Sequence, residues 1–175
     1  MIHDENILQA MRLHPETGFR MLLAKYKEPI YWHIRRMVVN HDDAQDATQE
    51  AFVRVFRHFR QCKSSNTLRG WLFTIATREA LRMLDQRKTD MLSLNDSIAL
   101  FADDYFNHAD QVAVQLQKAI LALPRKQQLA FNLRYYDDLS YAEIASVADC
   151  SEAAAKANYH IAKEKIVKYI QSNDL

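Results

Sequence analysis

The chain has 175 residues, 49% of them hydrophobic, which is room for one domain or two small ones with a buried core and excludes wholesale disorder. Its glycines are Gly18 and Gly70 alone, where average usage predicts about a dozen, and prolines number three; barrels and sandwiches, with their tight glycine turns, and the glycine-rich phosphate loops of nucleotide-binding folds are therefore excluded. The net charge of +1 hides segregation, because residues 54–88 hold nine Lys and Arg against Glu79 and Asp85, residues 41–53 hold Asp42, Asp43, Asp46 and Glu50 with no base, and residues 91–112 hold four Asp with no base; blocks of opposite sign imply separate partners.

An all-α chain is expected, and its elements follow from periodicity. Residues 5–14 suit a short helix that stops before Pro15. A long helix follows over 16–39, with Phe19, Leu22, Leu23, Tyr26, Ile30, Ile34 and Met37 near helical spacing, and Pro29 is expected to kink or interrupt it. A third helix over about 42–59 carries the stripe Thr48, Ala51, Phe52, Val55 and Phe59. Residues 60–66 read as a loop, and Thr67 as the cap of a fourth helix that runs to about 87. Its core face is Leu68, Leu72, Ile75 and Ala76.

The segment 89–109 is rich in Ser, Asn and Asp with weak periodicity, and it reads as a linker between two small helical domains, 1–88 and 110–175. The linker's apolar residues, among them Leu92, Ile98 and Phe101, pack back on a domain or dock on a partner. A helix over 110–122 comes next, and Pro124 opens another that ends near Tyr136. Ser140-Tyr141-Ala142-Glu143 is a capping box that starts a short helix at 141. Asp149 stands at the turn, Ser151 is a second N-cap, and a last helix runs over 152–171 with Ala155, Tyr159, Ala162, Ile166 and Ile170 inward.

The chemistry is that of binding surfaces. A capped short helix, a three-residue turn and a longer helix make a helix-turn-helix, whose second helix enters the major groove. Its outward residues are Ser151, Glu152, Ala153, Lys156, Ala157, Asn158, His160 and Lys163. The lysines can meet phosphate or guanine, and Asn158 can pair with adenine. With no arginine in this helix, weak affinity for duplex DNA is expected from this domain alone. A helical hairpin that binds protein is the plainer reading of the same pattern.

In the first half, Trp71, Arg78 and Arg82 share a stripe, with Arg69 beside it. Basic residues interleaved with an aromatic suit single-stranded nucleic acid, and Lys63, Ser64, Ser65 and Asn66 in the preceding loop can read an unstacked base. Trp71 equally suits a core position, and the arginines a solvated face. Asp43, Asp46 and Glu50 fall on one face of the third helix, with Gln49 beside them, an acidic surface for a basic partner. Metal is not expected there, since no Glu is followed three residues later by His. No cofactor is expected either. Seven histidines form no triad or ligand spacing, so an enzyme is not expected. Cys62 and Cys150 make no CxxC pair, which fits a reducing compartment. With no leader-like start and no apolar run of about 18 residues, a cytoplasmic protein without membrane insertion is expected.

These residues resemble the bacterial sigma factors of the extracytoplasmic-function group, in the sigma-seventy family. Asp43-Ala44-Gln45-Asp46-Ala47-Thr48-Gln49-Glu50-Ala51-Phe52 resembles the polymerase-binding motif of the family's second region, and Leu68-Arg69-Gly70-Trp71-Leu72-Phe73-Thr74-Ile75-Ala76 its melting and minus-ten segment. Leu121 to Gln128 and Leu139 to Ala145 resemble the fourth region, which reads the minus-thirty-five element. The resemblance implies a transcription initiation factor that binds core RNA polymerase and directs it to promoters. Asp43, Asp46, Gln49 and Glu50 would grip the polymerase. Loop 61–67 would capture a flipped base of the melted non-template strand, and the helix after Ser151 would read duplex promoter DNA. An anti-sigma partner is implied as well. Thr77 and Arg78 replace a usual Arg-Asn pair, Arg82 stands near a usual Asp, and Asn158 and Ile161 replace frequent arginines. A stand-alone helix-turn-helix regulator is the alternative reading, and it needs neither the acidic helix nor the loop.

Overall fold

The computed structural model describes residues 1–87 and 111–173. Among them there are eight α-helices and no strand: α1 (Asp4–Leu13), α2 (Pro15–Val38), α3 (His41–His58), α4 (Ser65–Arg87), α5 (Gln111–Leu121), α6 (Arg125–Tyr135), α7 (Tyr141–Ala148) and α8 (Glu152–Asn173), with a 3-10 turn at Phe59–Gln61. The chain falls into two compact units, one containing residues 1–38 and 42–86, the other residues 39–41 and those from 87 on. The expected linker over 89–109 lies outside the described residues.

In the first unit α1 folds back on α2 through His14 alone. Pro15, with no N–H to lose, starts α2, and the Gly18 N–H donates to the His14 carbonyl at 3.0 Å. The two helices approach so closely that a Cβ on Gly18 would fall on the Met11 backbone. Asp4 ties the start of α1 to the middle of α2: Lys25 Nζ reaches its carboxylate at 2.6 Å, and Tyr26 Oη donates to both oxygens at 2.9 and 2.8 Å. The expected interruption at Pro29 does not occur. α2 continues through it as one helix of 24 residues. Proline forfeits only the bond to residue 25, and the buried side chains Tyr26, Ile30, His33 and Ile34 hold both flanking turns in the core.

α4 is buried over a broad arc: Leu68, Gly70, Leu72, Phe73, Ala76, Thr77, Glu79 and Ala80. Ile75, expected in the core, is half-buried, and Phe73 takes its place. His33 on α2 meets Thr77 Oγ1 at 2.8 Å and the Phe73 ring edge-on at 5.2 Å. Thr77, which departs from the family pattern, is thus a core partner of a buried histidine. On α3 the stripe Thr48, Ala51, Phe52 and Val55 is buried with Ala44 and Ala47, whereas Phe59 has left the helix for the 3-10 turn.

The second unit is a helix-turn-helix with one further layer. Ala119, Ile120 and Leu123 pack with Phe131, Ala162 and Ile166, flanked by Leu116, Tyr159, Tyr169 and Ile170. The capping box forms as expected: Glu143 N–H donates to Ser140 Oγ at 3.2 Å and Ser140 N–H to Glu143 Oε2 at 2.8 Å. Asp149 ends α7 in the left-handed region, at φ 51 and ψ 56, and the Ala154 N–H donates to Ser151 Oγ at 3.0 Å to cap α8. Pro124 precedes α6 instead of opening it, its carbonyl accepting from Gln127 and Gln128 N–H at 2.9 Å each.

Candidate polymerase and DNA interfaces

Three surfaces carry the residues that the sequence singles out. The first lies on α3. Asp46 and Gln49 are exposed, and Asp43 and Glu50 are half-buried. Acid in the first turns of α3 also complements the helix dipole. Next to this rim is an apolar groove of about 450 Å³ between α2 and α3, lined among others by Phe19, Leu23, Gln49, Phe52, Val53 and Phe56. Phe19 meets the Phe52 and Phe56 rings edge-on at 6.4 and 5.1 Å, and Val53 and Phe56 are each 40% exposed. Sequence reasoning missed this groove. Gln49, Val53 and Phe56 stand at i, i+4 and i+7, so the signal was an apolar extension of the acidic face, outside the core stripe.

The second surface is at the start of α4. The expected loop is shorter than 60–66: Ser65 and Asn66 belong to the first turn of α4, and Thr67 is not its cap. The Ser64 carbonyl accepts from Thr67 N–H at 3.2 Å and from Thr67 Oγ1 at 3.0 Å, which winds the helix two residues earlier. Lys63, Ser64 and Asn66 are exposed and Ser65 is half-buried. Beneath them Cys62 is buried, its thiol donating to the Ser64 carbonyl at 3.5 Å. Burial pushes that thiol above its ordinary pKa, against the Thr67 hydroxyl and the Arg12 charge, which favour the thiolate.

Further along α4, Arg78 and Arg82 are exposed, and Arg69 and Trp71 half-buried, so Trp71 has one side in the fold and one toward solvent. Arg82 is not a loose cation. Its Nε and a terminal nitrogen meet Glu79 Oε2 at 3.0 and 2.8 Å. Arg54 on α3 reaches the other Glu79 oxygen at 2.5 Å and Glu50 at 3.4 Å. Glu79, with a side chain only 5% exposed, is therefore the buried centre of a chain of ion pairs running Glu50–Arg54–Glu79–Arg82. The sequence assigned Glu79 no role.

The third surface is the outer face of α8. Ser151, Glu152, Ala153, Lys156, Ala157, His160 and Lys163 are exposed and Asn158 is half-buried, while Ala155, Ala162 and Ile166 point into the core. Lys163 lies 5.5 Å from the Tyr159 ring. Among the described residues no group of three or more His, Cys, Asp or Glu converges to hold a metal ion, and no helix is long and apolar enough to cross a membrane.

The family model described as Sigma-70 region 2 matches residues 22–89, and the one described as Sigma-70, region 4 matches residues 113–166. Together they take in well over half of the chain, in the family's order. The chain belongs to the sigma-70 family, in its extracytoplasmic-function group. It is similar to the RNA polymerase sigma-H factor of Pseudomonas aeruginosa, 26% identical over 96% of this chain and 94% of that protein. It is also similar to the extracytoplasmic-function sigma factor SigW of Bacillus subtilis, 26% identical over 89% of this chain and 90% of that one. In fold it is similar to the sigma factor RpoE of Bartonella quintana, solved in complex with the anti-sigma factor NepR, with a TM-score of 0.71 at 18% identity over 89% of this chain and 98% of that chain. As a sigma factor, the chain acts in transcription initiation with RNA polymerase.

Proposed function

We propose that the sigma factor divides its task along the chain. Residues 1–88 bind core polymerase and open the minus-ten element, residues 89–109 link, and residues 110–175 read the minus-thirty-five element. Polymerase sits on the α3 rim of Asp43, Asp46, Gln49 and Glu50 and on the apolar groove beside it. The acids set approach and register, and the exposed Phe56 and Val53 supply apolar area to bury. Lys63, Ser64, Ser65, Asn66, Arg69, Trp71, Arg78 and Arg82 face the melted non-template strand. The outer face of α8 lies in the major groove, with Lys156 and Lys163 on phosphate or guanine and Asn158 toward adenine. The protein contributes binding, not catalysis, and works in the cytoplasm. The structural relative solved with NepR supports an anti-sigma partner for this chain as well.

The observation that carries the reading is the joining, in one chain, of an apolar groove beside the acidic face of α3 to a capped helix-turn-helix. The test is co-elution with bacterial core RNA polymerase, followed by run-off transcription from genomic fragments. Glu50→Arg is expected to weaken co-elution at least tenfold while the circular dichroism spectrum stays helical. Unchanged affinity would remove α3 from the interface. Failure of the parent protein to bind polymerase, with tight binding to duplex DNA, would make it a stand-alone regulator.

A further inference from the structure

The segment Lys63–Ser65 does not stand alone: it forms one wall of a cleft of about 510 Å³ whose opposite wall is α1. That volume is in the range of small-molecule sites. From α1 come Glu5, Gln9 and Arg12, at i, i+4 and i+7, all exposed, in a single row along the helix face turned to Lys63, Ser64 and Ser65. The row is a carboxylate, an amide and a guanidinium, the three groups whose geometry matches the edges of cytosine, adenine and guanine. Arg12 donates to the Lys63 carbonyl at 3.2 Å. This pins the guanidinium to the loop and leaves further N–H donors for a ligand. Leu13, also lining the cleft, is 66% exposed, an apolar side chain at its mouth that the core does not use. Lys63 and the positive end of the α4 dipole add attraction for a phosphate on the same wall.

Together these groups supply what an extruded nucleotide needs: a base-edge reader, an apolar surface beside it and a cation for its phosphate. We infer that α1 is a specificity element of this sigma factor, with Gln9 and Arg12 reading the edge of a single-stranded DNA base seated between α1 and the segment Lys63–Ser65. The inference rests on the proposed role of that segment in minus-ten recognition, and it adds a second wall from a part of the chain that neither family model covers.

The experiment uses the full chain assembled with core polymerase and a start site from the run-off assay, its minus-ten element randomised and the transcripts sequenced. Gln9→Ala and Arg12→Lys alter exposed positions, and circular dichroism checks that both remain helical. Arg12→Lys keeps the charge and loses the flat two-pronged donor. The result expected is a loss of base preference at one minus-ten position by roughly five- to a hundredfold, the worth of one bidentate contact, with preferences elsewhere intact. If both variants keep parental preferences while Lys63→Ala or Asn66→Ala flattens them, α1 is overturned as a reader and the loop reading stands. If neither set changes preference, both readings fall. A uniform drop across all templates would also overturn the inference, since it marks a general electrostatic or structural effect.

Discussion

Glu79 shows why single residues in this protein resist assignment by type. A carboxylate with 5% of its side chain exposed is costly unless charge and hydrogen bonds meet it, and here Arg54 and Arg82 do so from two helices. Both arginines keep nearly half of their side chains exposed, at 44% and 48%, so solvent screens the pairs and lowers their worth. Glu79→Ala is expected to destabilise by about 1–3 kcal/mol, the scale of hydrogen bonds to charged groups. Glu79→Leu should recover most of that loss, because an apolar side chain of similar size needs no partner; urea denaturation of the three proteins checks it. Cys62 has a pH signature. Burial raises its folded pKa, so the unfolded chain loses the thiol proton first. The stabilisation is complete below the ordinary thiol range and disappears as pH rises through the folded value. Thermal midpoints are therefore expected to fall above roughly pH 8.5 more steeply in the parent than in Cys62→Ala. A parallel pair of curves would refute this.

Among the elements, α1 and α2 illustrate packing that depends on one missing side chain. Their single-residue connection brings the backbones into contact at Gly18 and Met11. The obstacle to a Cβ there is backbone, which cannot rotate away. Gly18→Ala should cost at least the roughly 1–3 kcal/mol of a typical overpacked core, despite the better helix propensity of alanine; a thermal melt that matches the parent would contradict the close approach. The helix-turn-helix was legible nearly residue by residue, because its signals are local: the box at Ser140 and Glu143, the cap at Ser151 and the tolerant Asp149. The start of α4 was less legible. Thr67 is a good cap by type, yet its hydroxyl folds back on the Ser64 carbonyl and lets the helix begin at Ser65. At Pro29 the expected interruption is absent, since propensity describes an isolated helix and the buried turns on either side keep the helix continuous.

For the whole molecule, the balanced charge matters most. A net charge of +1 gives little long-range attraction to DNA, and α8 presents Lys156, Lys163, Lys165 and Lys168 but no arginine. The free chain is expected to bind duplex promoter DNA weakly at physiological salt, and the holoenzyme tightly. For the holoenzyme, Lys163→Ala should lower the salt slope of binding by about one. Gel-shift titrations with and without core polymerase at several salt concentrations measure both; tight binding by the free chain would contradict the division of labour proposed here.

Local pattern alone determined that this protein is helical, where most of its helices lie, which face of α8 is outward and that one face of α3 is acidic, because caps, periodicity and charge act over a few residues. The family resemblance was readable for the same reason, from short motifs in a fixed order. Tertiary structure decided what is joined across long stretches of chain: Glu79 with Arg54, His33 with Thr77, Arg12 with the Lys63 carbonyl, and Phe19 with Phe56. Each pairs residues from separate parts of the chain through distance-dependent forces, and no periodicity in the sequence encodes which partner a side chain finds once the helices pack.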